Sequence, residues 1–216
     1  MKAKLRRGFK TEADEIALQI RTELALGPTV PLDPLQLARH LAVPVLGLRE
    51  MADACPDAVA HFTKIDTGAF SAVTVFDGSA RVIVHNDTHS LGRQRSNLAH
   101  ELAHALLLHP ATAALNALGC REWDATLELE ADWLGGTFLI PDAAALSIAR
   151  RGMTDEQATA YYGVSSKMVR FRMNVTAARR RVQRARLASN SHPDQGCHHQ
   201  TKSQDSTNSR SWPPTS

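Results

Sequence analysis

An apolar stretch in the middle of the chain carries three polar groups at a fixed spacing. His100, Glu101 and His104 form an H-E-x-x-H pattern within the run SNLAHELAHALLLH, residues 96–109. Residues four positions apart lie on the same side of an α-helix, so two imidazole rings at this spacing can bind one metal ion. Burying two histidines and a glutamate in so apolar a helix would be costly without a partner. The pattern therefore predicts a helix whose polar side binds a metal ion.

The glutamate inside the pattern has a chemical role of its own. Glu101 follows the first histidine directly, which places its carboxylate beside the metal, where a water molecule would sit. A carboxylate there can take a proton from the water and later give it to a leaving amine. The pattern thus predicts Glu101 as the catalytic base and Zn²⁺ as the cofactor.

A catalytic zinc ion has three protein ligands as a rule, and the third is expected from a later helix. The segment ELEAD, residues 128–132, offers Glu128 and Asp132 on one helical face. We predict that Glu128 binds the metal and that Asp132 accepts the spare ring N–H of a ligand histidine. Glu130 is the alternative ligand and otherwise an exposed or secondary acid. A solvated acidic face without any ligand is the simplest competing interpretation.

A further donor is needed for the oxyanion that develops during amide hydrolysis. Tyr161, Tyr162 and His109 are candidates by residue type alone. A core tyrosine and a histidine at a helix end are the simpler interpretations of these residues.

Helical and strand patterns alternate along the chain. Residues 69–76 and 81–85 predict two strands joined at Asp77-Gly78, a dipeptide that favours tight hairpin turns. A strand over 43–48 and a loop over 52–60 are also expected. Capping residues and apolar periodicity predict helices over 11–25, 33–41, 93–109, 125–139, 154–162 and 165–186.

Three segments resemble the ImmA/IrrE family of zinc metallopeptidases. They are VIVHN at residues 82–86, RQRSNLAHELAHALLLH at residues 93–109 and ELEADWLGGTFLIP at residues 128–141. The resemblance implies an α+β fold with a compact zincin-like core, in which a small β-sheet packs on the H-E-x-x-H helix and on a glutamate helix. The hairpin near 69–85 would belong to that sheet, and C-terminal helices and a disordered tail would follow the core.

The resemblance also implies the chemistry. His100, His104 and Glu128 would bind zinc, and Glu101 would act as the base. Members of the family typically act in the cytoplasm and cleave a helix-turn-helix transcriptional repressor. The expected function is therefore that of a regulatory zinc-dependent endopeptidase.

The distribution of charge and composition divides the chain into four parts. We expect a flexible N-terminus over 1–10, the zincin-like domain over 11–150 and a helical extension over 151–187. Residues 188–216 are poor in aliphatic side chains and predict a disordered tail. Residues 167–216 hold ten basic and two acidic side chains, a net charge of +8, so that the extension has a basic end.

The helical extension also resembles a DNA-binding unit. Residues 154–172 have the pattern of a helix-turn-helix, and Lys167–Arg186 could contact phosphates, which predicts weak, non-specific nucleic-acid binding. Alternatively, the helix pair packs on the core and the basic helix is solvated. The alternative function is a DNA-binding regulator or an antitoxin-like partner whose zinc site is structural or sensory. Glu101 favours the peptidase, because a purely structural site needs no base.

The remaining features favour a cytoplasmic protein. Three widely spaced cysteines without a C-x-x-C pair argue against a disulfide framework and against a cysteine zinc site. The basic start MKAKLRRGFK is followed by an acidic, amphipathic stretch, which is not typical of a signal peptide. No segment has the length and apolarity of a membrane span, so no membrane partner is expected.

Overall fold

The computed structural model describes residues 4–77, 80–110 and 124–190. Over these ranges the chain forms nine α-helices and one three-stranded sheet, and the predicted α+β class is confirmed. The strands are β1 (Val45–Gly47), β2 (Ala72–Asp77) and β3 (Ala80–His85). The helices are α1 (Phe9–Glu23), α2 (Pro34–His40), α3 (Pro56–Ala60), α4 (Leu91–Leu106), α5 (Ala125–Leu139), α6 (Asp142–Arg150), α7 (Asp155–Tyr162), α8 (Ser166–Val175) and α9 (Ala178–Asn190).

The sheet has the order β1-β3-β2. β2 and β3 pair antiparallel, from Ala72 opposite His85 to Asp77 opposite Ala80, as the hairpin prediction requires. Gly78 of the predicted turn lies outside the described residues. β1 pairs with β3 in parallel, with Val45 opposite Ile83. β3 is therefore the central strand, and β2 is an edge strand. Helix α4 packs against both β2 and β3.

The core lies between α4 and α5 and extends to both sides of this helix pair. Leu98 and Leu102 of α4 pack with Ala131 and Leu134 of α5, all of them buried, and α1 and α2 cover this cluster. A second cluster joins the C-terminal half of α5 to the helices α6 to α9. The segment that resembles a helix-turn-helix thus packs on the core, as its alternative interpretation proposed.

Two adjacent glycines bring other helices close to α5. A Cβ atom added to Gly135 would lie 3.0 Å from the backbone carbonyl of Ala99 and 3.1 Å from the amide nitrogen of His100. A Cβ atom at Gly136 would lie 3.0 Å from the Arg172 side chain on α8. Glycine permits such close approach because it has no side chain. The backbones of α4 and α5 therefore meet directly beside His100.

The start of α1 differs from the prediction. The helix begins at Phe9 after Gly8, whose φ of 85° is readily adopted by glycine, whereas the predicted helix begins at residue 11. Phe9 is fully buried in the core, and this burial accounts for the earlier start. Helix α1 therefore begins two residues before the predicted boundary between the N-terminus over 1–10 and the domain from residue 11.

Three further elements depart from the predictions. The expected loop over 52–60 contains α3, which Pro56 starts at a position that proline favours, and a π-helical turn over His61–Ile65 follows it. The helix predicted over 165–186 is divided into α8 and α9 at Ala177, which has a left-handed φ of 52°. No helix was predicted after Pro141, yet α6 begins there and buries Ala144, Ala145 and Ile148.

The C-terminal part of the described chain is helical to Asn190. The predicted disordered tail over 188–216 thus begins within α9, and residues 191–216 lie outside the described residues. Among the helices of the described ranges, none combines the length and the apolarity that crossing a membrane requires.

Candidate metal centre

The two histidines of the H-E-x-x-H pattern face each other on α4. Their Nε2 atoms lie 3.0 Å apart, and the rings meet edge to face with centroids separated by 4.7 Å. Both side chains are partly exposed, with 23% of His100 and 17% of His104 accessible to solvent. The helix therefore presents two nitrogen ligands at one point that small molecules can reach.

A carboxylate from α5 completes a group of three ligand atoms. The Oε2 atom of Glu128 lies 3.2 Å from His100 Nε2 and 3.7 Å from His104 Nε2. A tetrahedral ion with metal–ligand bonds of about 2 Å separates its ligands by about 3.4 Å. The three atoms have nearly this spacing, and within the described ranges this is the group of histidine, cysteine and acidic residues that could hold a metal.

The beginning of α5 explains why Glu128 reaches α4. Asp124 caps the helix, since its side chain accepts hydrogen bonds from the backbone amides of Thr126 and Leu127. Glu128 then lies one turn into the helix, and the close contact at Gly135 holds the two helices together further along. A fixed helix start and a short interhelical distance together place the carboxylate opposite the two rings.

The other ring nitrogen of His100 also has an acidic partner. His100 Nδ1 lies 2.9 Å from Oδ1 of Asp132, one turn beyond Glu128 on α5. A carboxylate at Nδ1 keeps the proton on that nitrogen and leaves Nε2 free for a metal. The structure thus brings together four residues that the sequence singled out for the site, namely His100, His104, Glu128 and Asp132, while Glu101 follows His100 on the same helix.

Two ionisable side chains of the site, those of His100 and Glu128, have strongly shifted pKa values. Burial alone lowers the pKa of His100, but its hydrogen bonds with Asp132 and Glu128 outweigh this effect and raise the pKa to about 9. Burial also disfavours the charged form of Glu128, yet His100 and His104 hold the pKa of its carboxyl well below the usual range. The carboxylates of Glu128 and Asp132 therefore favour a positive charge at His100, which is the charge pattern expected of a metal site.

The proton on His100 predicts how zinc binding depends on pH. Because zinc can bind His100 Nε2 only after the proton has left, the apparent Kd for zinc is expected to fall about tenfold per pH unit between pH 6 and 8. Competition with a chromophoric chelator of known affinity at each pH measures this dependence. Asp132→Asn removes one cause of the raised pKa and should give a shallower dependence. An equal Kd at pH 6 and pH 8 in the unchanged protein would contradict the prediction.

A residue of the β-sheet holds the Glu101 side chain by a hydrogen bond. Its side chain is buried, and its Oε2 atom accepts a hydrogen bond of 2.6 Å from the Thr74 hydroxyl on edge strand β2. This contact could not be predicted, because residue spacing does not show which strand residues face α4. Arg81 on β3 also reaches this helix, and its guanidinium donates to the His104 carbonyl oxygen at 3.3 Å.

Glu130, the alternative metal ligand, lies on another side of α5. It is buried rather than exposed, with 4% of its surface accessible, so the expectation of an exposed acid is wrong. Its Oε1 atom lies 3.1 Å from Nε of Arg6, and its Oε2 atom lies 3.7 Å from Nε2 of His109. Glu130 therefore contacts Arg6 and His109 and not the three ligand atoms.

The three candidates for an oxyanion donor contact other groups of the protein. The Tyr162 hydroxyl donates to the carbonyl oxygen of Thr29 in the core, and Tyr161 is exposed beside Arg151. His109 is buried, and its Nδ1 atom lies 2.8 Å from Nδ1 of His104. Burial lowers the pKa of His109, and His104 lowers it further.

A family model of known proteins matches the central part of the chain. The family model Peptidase_M78, described as the IrrE N-terminal-like domain, matches residues 57–174, which is more than half of the chain. The matched region runs from α3 to α8 and includes every residue of the metal centre. No curated protein and no solved structure was found to match the chain.

Proposed function

Because the chain belongs to the ImmA/IrrE family of metallopeptidases, we propose that it is a zinc-dependent endopeptidase that cleaves a helix-turn-helix transcriptional repressor. One observation supports this proposal most strongly. The three ligand atoms of His100, His104 and Glu128 converge on one point, and a carboxylate on the same helix, that of Glu101, lies next to the first of them in the chain.

The residues have distinct tasks in the proposed reaction. Zinc would be held by Nε2 of both histidines and Oε2 of Glu128, where it would polarise the scissile carbonyl and lower the pKa of water. Glu101 accepts the proton of the attacking water and transfers it to the nitrogen of the breaking amide bond. The Thr74 hydroxyl holds Glu101 by Oε2, which leaves Oε1 to carry the proton.

A second function has weaker support. Lys167 and Arg170 of α8 are exposed, as a phosphate-binding surface requires. However, Arg172 is buried, and Arg179 and Arg181 pair with Asp155 and Asp142. We therefore propose only weak, salt-sensitive and sequence-independent nucleic-acid binding through Lys167–Arg186. Action in the cytoplasm stays a prediction from the sequence.

The peptidase proposal is tested with the zinc-loaded protein and the helix-turn-helix repressor encoded nearest to its gene. Mass spectrometry should find about one zinc ion per chain and internal cleavage of the repressor, which a chelator stops and added zinc restores. Failure to take up zinc, or an intact repressor at full zinc content, would contradict the proposal. Tight binding to one operator-like duplex in a gel shift at physiological salt would favour the DNA-binding regulator instead.

A further inference from the structure

A histidine beyond the end of α4 folds back onto the metal centre. Leu108 has a left-handed φ of 53°, which reverses the chain after the helix. The amide of His109 then donates to the carbonyl oxygen of His104 at 3.1 Å. This reversal places the His109 ring against the His104 ring, with centroids 4.9 Å apart. His109 is therefore the neighbour of His104 on the side away from the other ligand atoms.

One of the two rings must donate the hydrogen bond between them, and the other must accept it. Their Nδ1 atoms lie 2.8 Å apart, so one of them carries a proton and the other presents a lone pair. The other nitrogen of His109, Nε2, lies 3.7 Å from the buried carboxylate of Glu130. A negative charge there favours the proton on His109 Nε2. His109 Nδ1 then accepts, and the proton of the ring-to-ring hydrogen bond belongs to His104.

This direction determines which nitrogen of His104 is free. With its proton on Nδ1, His104 presents the lone pair of Nε2 towards His100 and Glu128. The opposite direction would place the proton on His104 Nε2, where it would exclude a metal. Glu130 thus acts on His104 through a second ring, as Asp132 acts directly on His100.

We propose that His109 and Glu130 are positioning residues of the metal centre, which hold His104 in the tautomer that binds zinc through Nε2. The proposal rests on the zinc site of the proposed function. Arg6 belongs to the same arrangement, since its Nε atom lies 3.1 Å from Glu130 Oε1 and stabilises the charge of this buried carboxylate. The chain of contacts therefore runs from a zinc ligand to the segment that precedes α1.

Two substitutions of His109 separate this role from simple packing. His109→Leu fills the space but removes the acceptor, and we expect it to weaken zinc binding by about 10–100-fold, as is typical when the partner behind a ligand histidine is lost. His109→Asn places an amide oxygen near the position of Nδ1 and should restore most of the affinity. His40→Leu is the matched control, because His40 also pairs with a glutamate, Glu23, but does so away from the site.

The affinities are measured by chelator competition, independently of cleavage. Equal zinc affinity of His109→Leu and the unchanged protein would overturn the proposal, as would equally weak binding by His109→Leu and His109→Asn. If the unchanged protein binds zinc but cleaves no repressor, the peptidase function fails while this proposal is still decided by the affinities. The two failures are therefore distinguishable.

A spectroscopic measurement needs no variant. Long-range ¹H–¹⁵N correlation spectra of the zinc-loaded protein, labelled at histidine, report which nitrogen of each ring is protonated. We expect the proton of His104 on Nδ1 and that of His109 on Nε2. A proton on His109 Nδ1 would overturn the proposal, even if His109→Leu failed to fold. Glu130→Gln should weaken the preference of His109 for this tautomer, and an unchanged spectrum would exclude a role for Glu130.

Discussion

Glu101→Gln is expected to lower the rate of repressor cleavage by roughly 10²–10⁴-fold, the contribution of a well-placed acid–base group. The amide has nearly the shape of the carboxylate and can still accept the hydrogen bond from Thr74, so the fold is retained. It cannot take a proton from water at neutral pH. Zinc content should stay at about one ion per chain, because none of the three converging ligand atoms belongs to Glu101.

The rate is measured under single-turnover conditions, with the zinc content determined on the same samples. Glu156→Gln is the matched control, since it makes the same chemical change at an exposed position of α7. It should cleave at the normal rate. Normal cleavage by Glu101→Gln would mean that another group moves the proton, and loss of zinc from this variant would mean that Glu101 supports the metal itself.

Glu128→Ala is expected to have the largest effect on the metal. It removes one of three ligand atoms and leaves two imidazoles that cannot hold zinc tightly alone. Zinc affinity should therefore fall by more than the roughly 10–100-fold typical of losing a partner behind a ligand. After dialysis against a mild chelator, elemental analysis should find the variant largely free of zinc, while the unchanged protein keeps its ion.

The same measurement on Glu130→Ala tests the choice between the two glutamates. Glu130 faces Arg6 and His109, so its removal should weaken zinc binding less than the removal of Glu128 does. Glu156→Ala again controls for the loss of a carboxylate at the surface. If Glu130→Ala lost its zinc and Glu128→Ala kept it, the assignment of the third ligand to Glu128 would be wrong.

The part of the site that sequence could predict is the part carried by regular helices. His100 and His104 are one turn apart, as are Glu128 and Asp132, and helical periodicity alone places each pair on one face. The bounds of α5 were also predictable, because Asp124 caps its start and Pro141 follows its end. Local rules suffice where the helix itself sets the geometry.

The contacts that sequence could not predict depend on chain reversals and on pairing between distant segments. His109 reaches His104 only because Leu108 adopts a left-handed conformation, which leucine rarely does and which no local pattern marks. Thr74 meets Glu101 because a strand edge packs on α4, a contact between residues 27 positions apart. The division of α8 from α9 at Ala177 has the same origin as the reversal at Leu108.

The direct backbone contact at Gly135 has a consequence for how this protein can vary. In most helix pairs, side-chain volumes set the separation, and compensating changes of volume are tolerated. Here main-chain atoms of α4 and α5 touch beside His100, so the separation at that point is independent of side-chain volumes elsewhere in the core. Substitutions among the surrounding leucines and alanines can thus accumulate without moving the ligands apart. A side chain at position 135 would press on the Ala99 carbonyl and the His100 amide nitrogen, so the two helices would have to shift by a few tenths of an ångström beside the ligands.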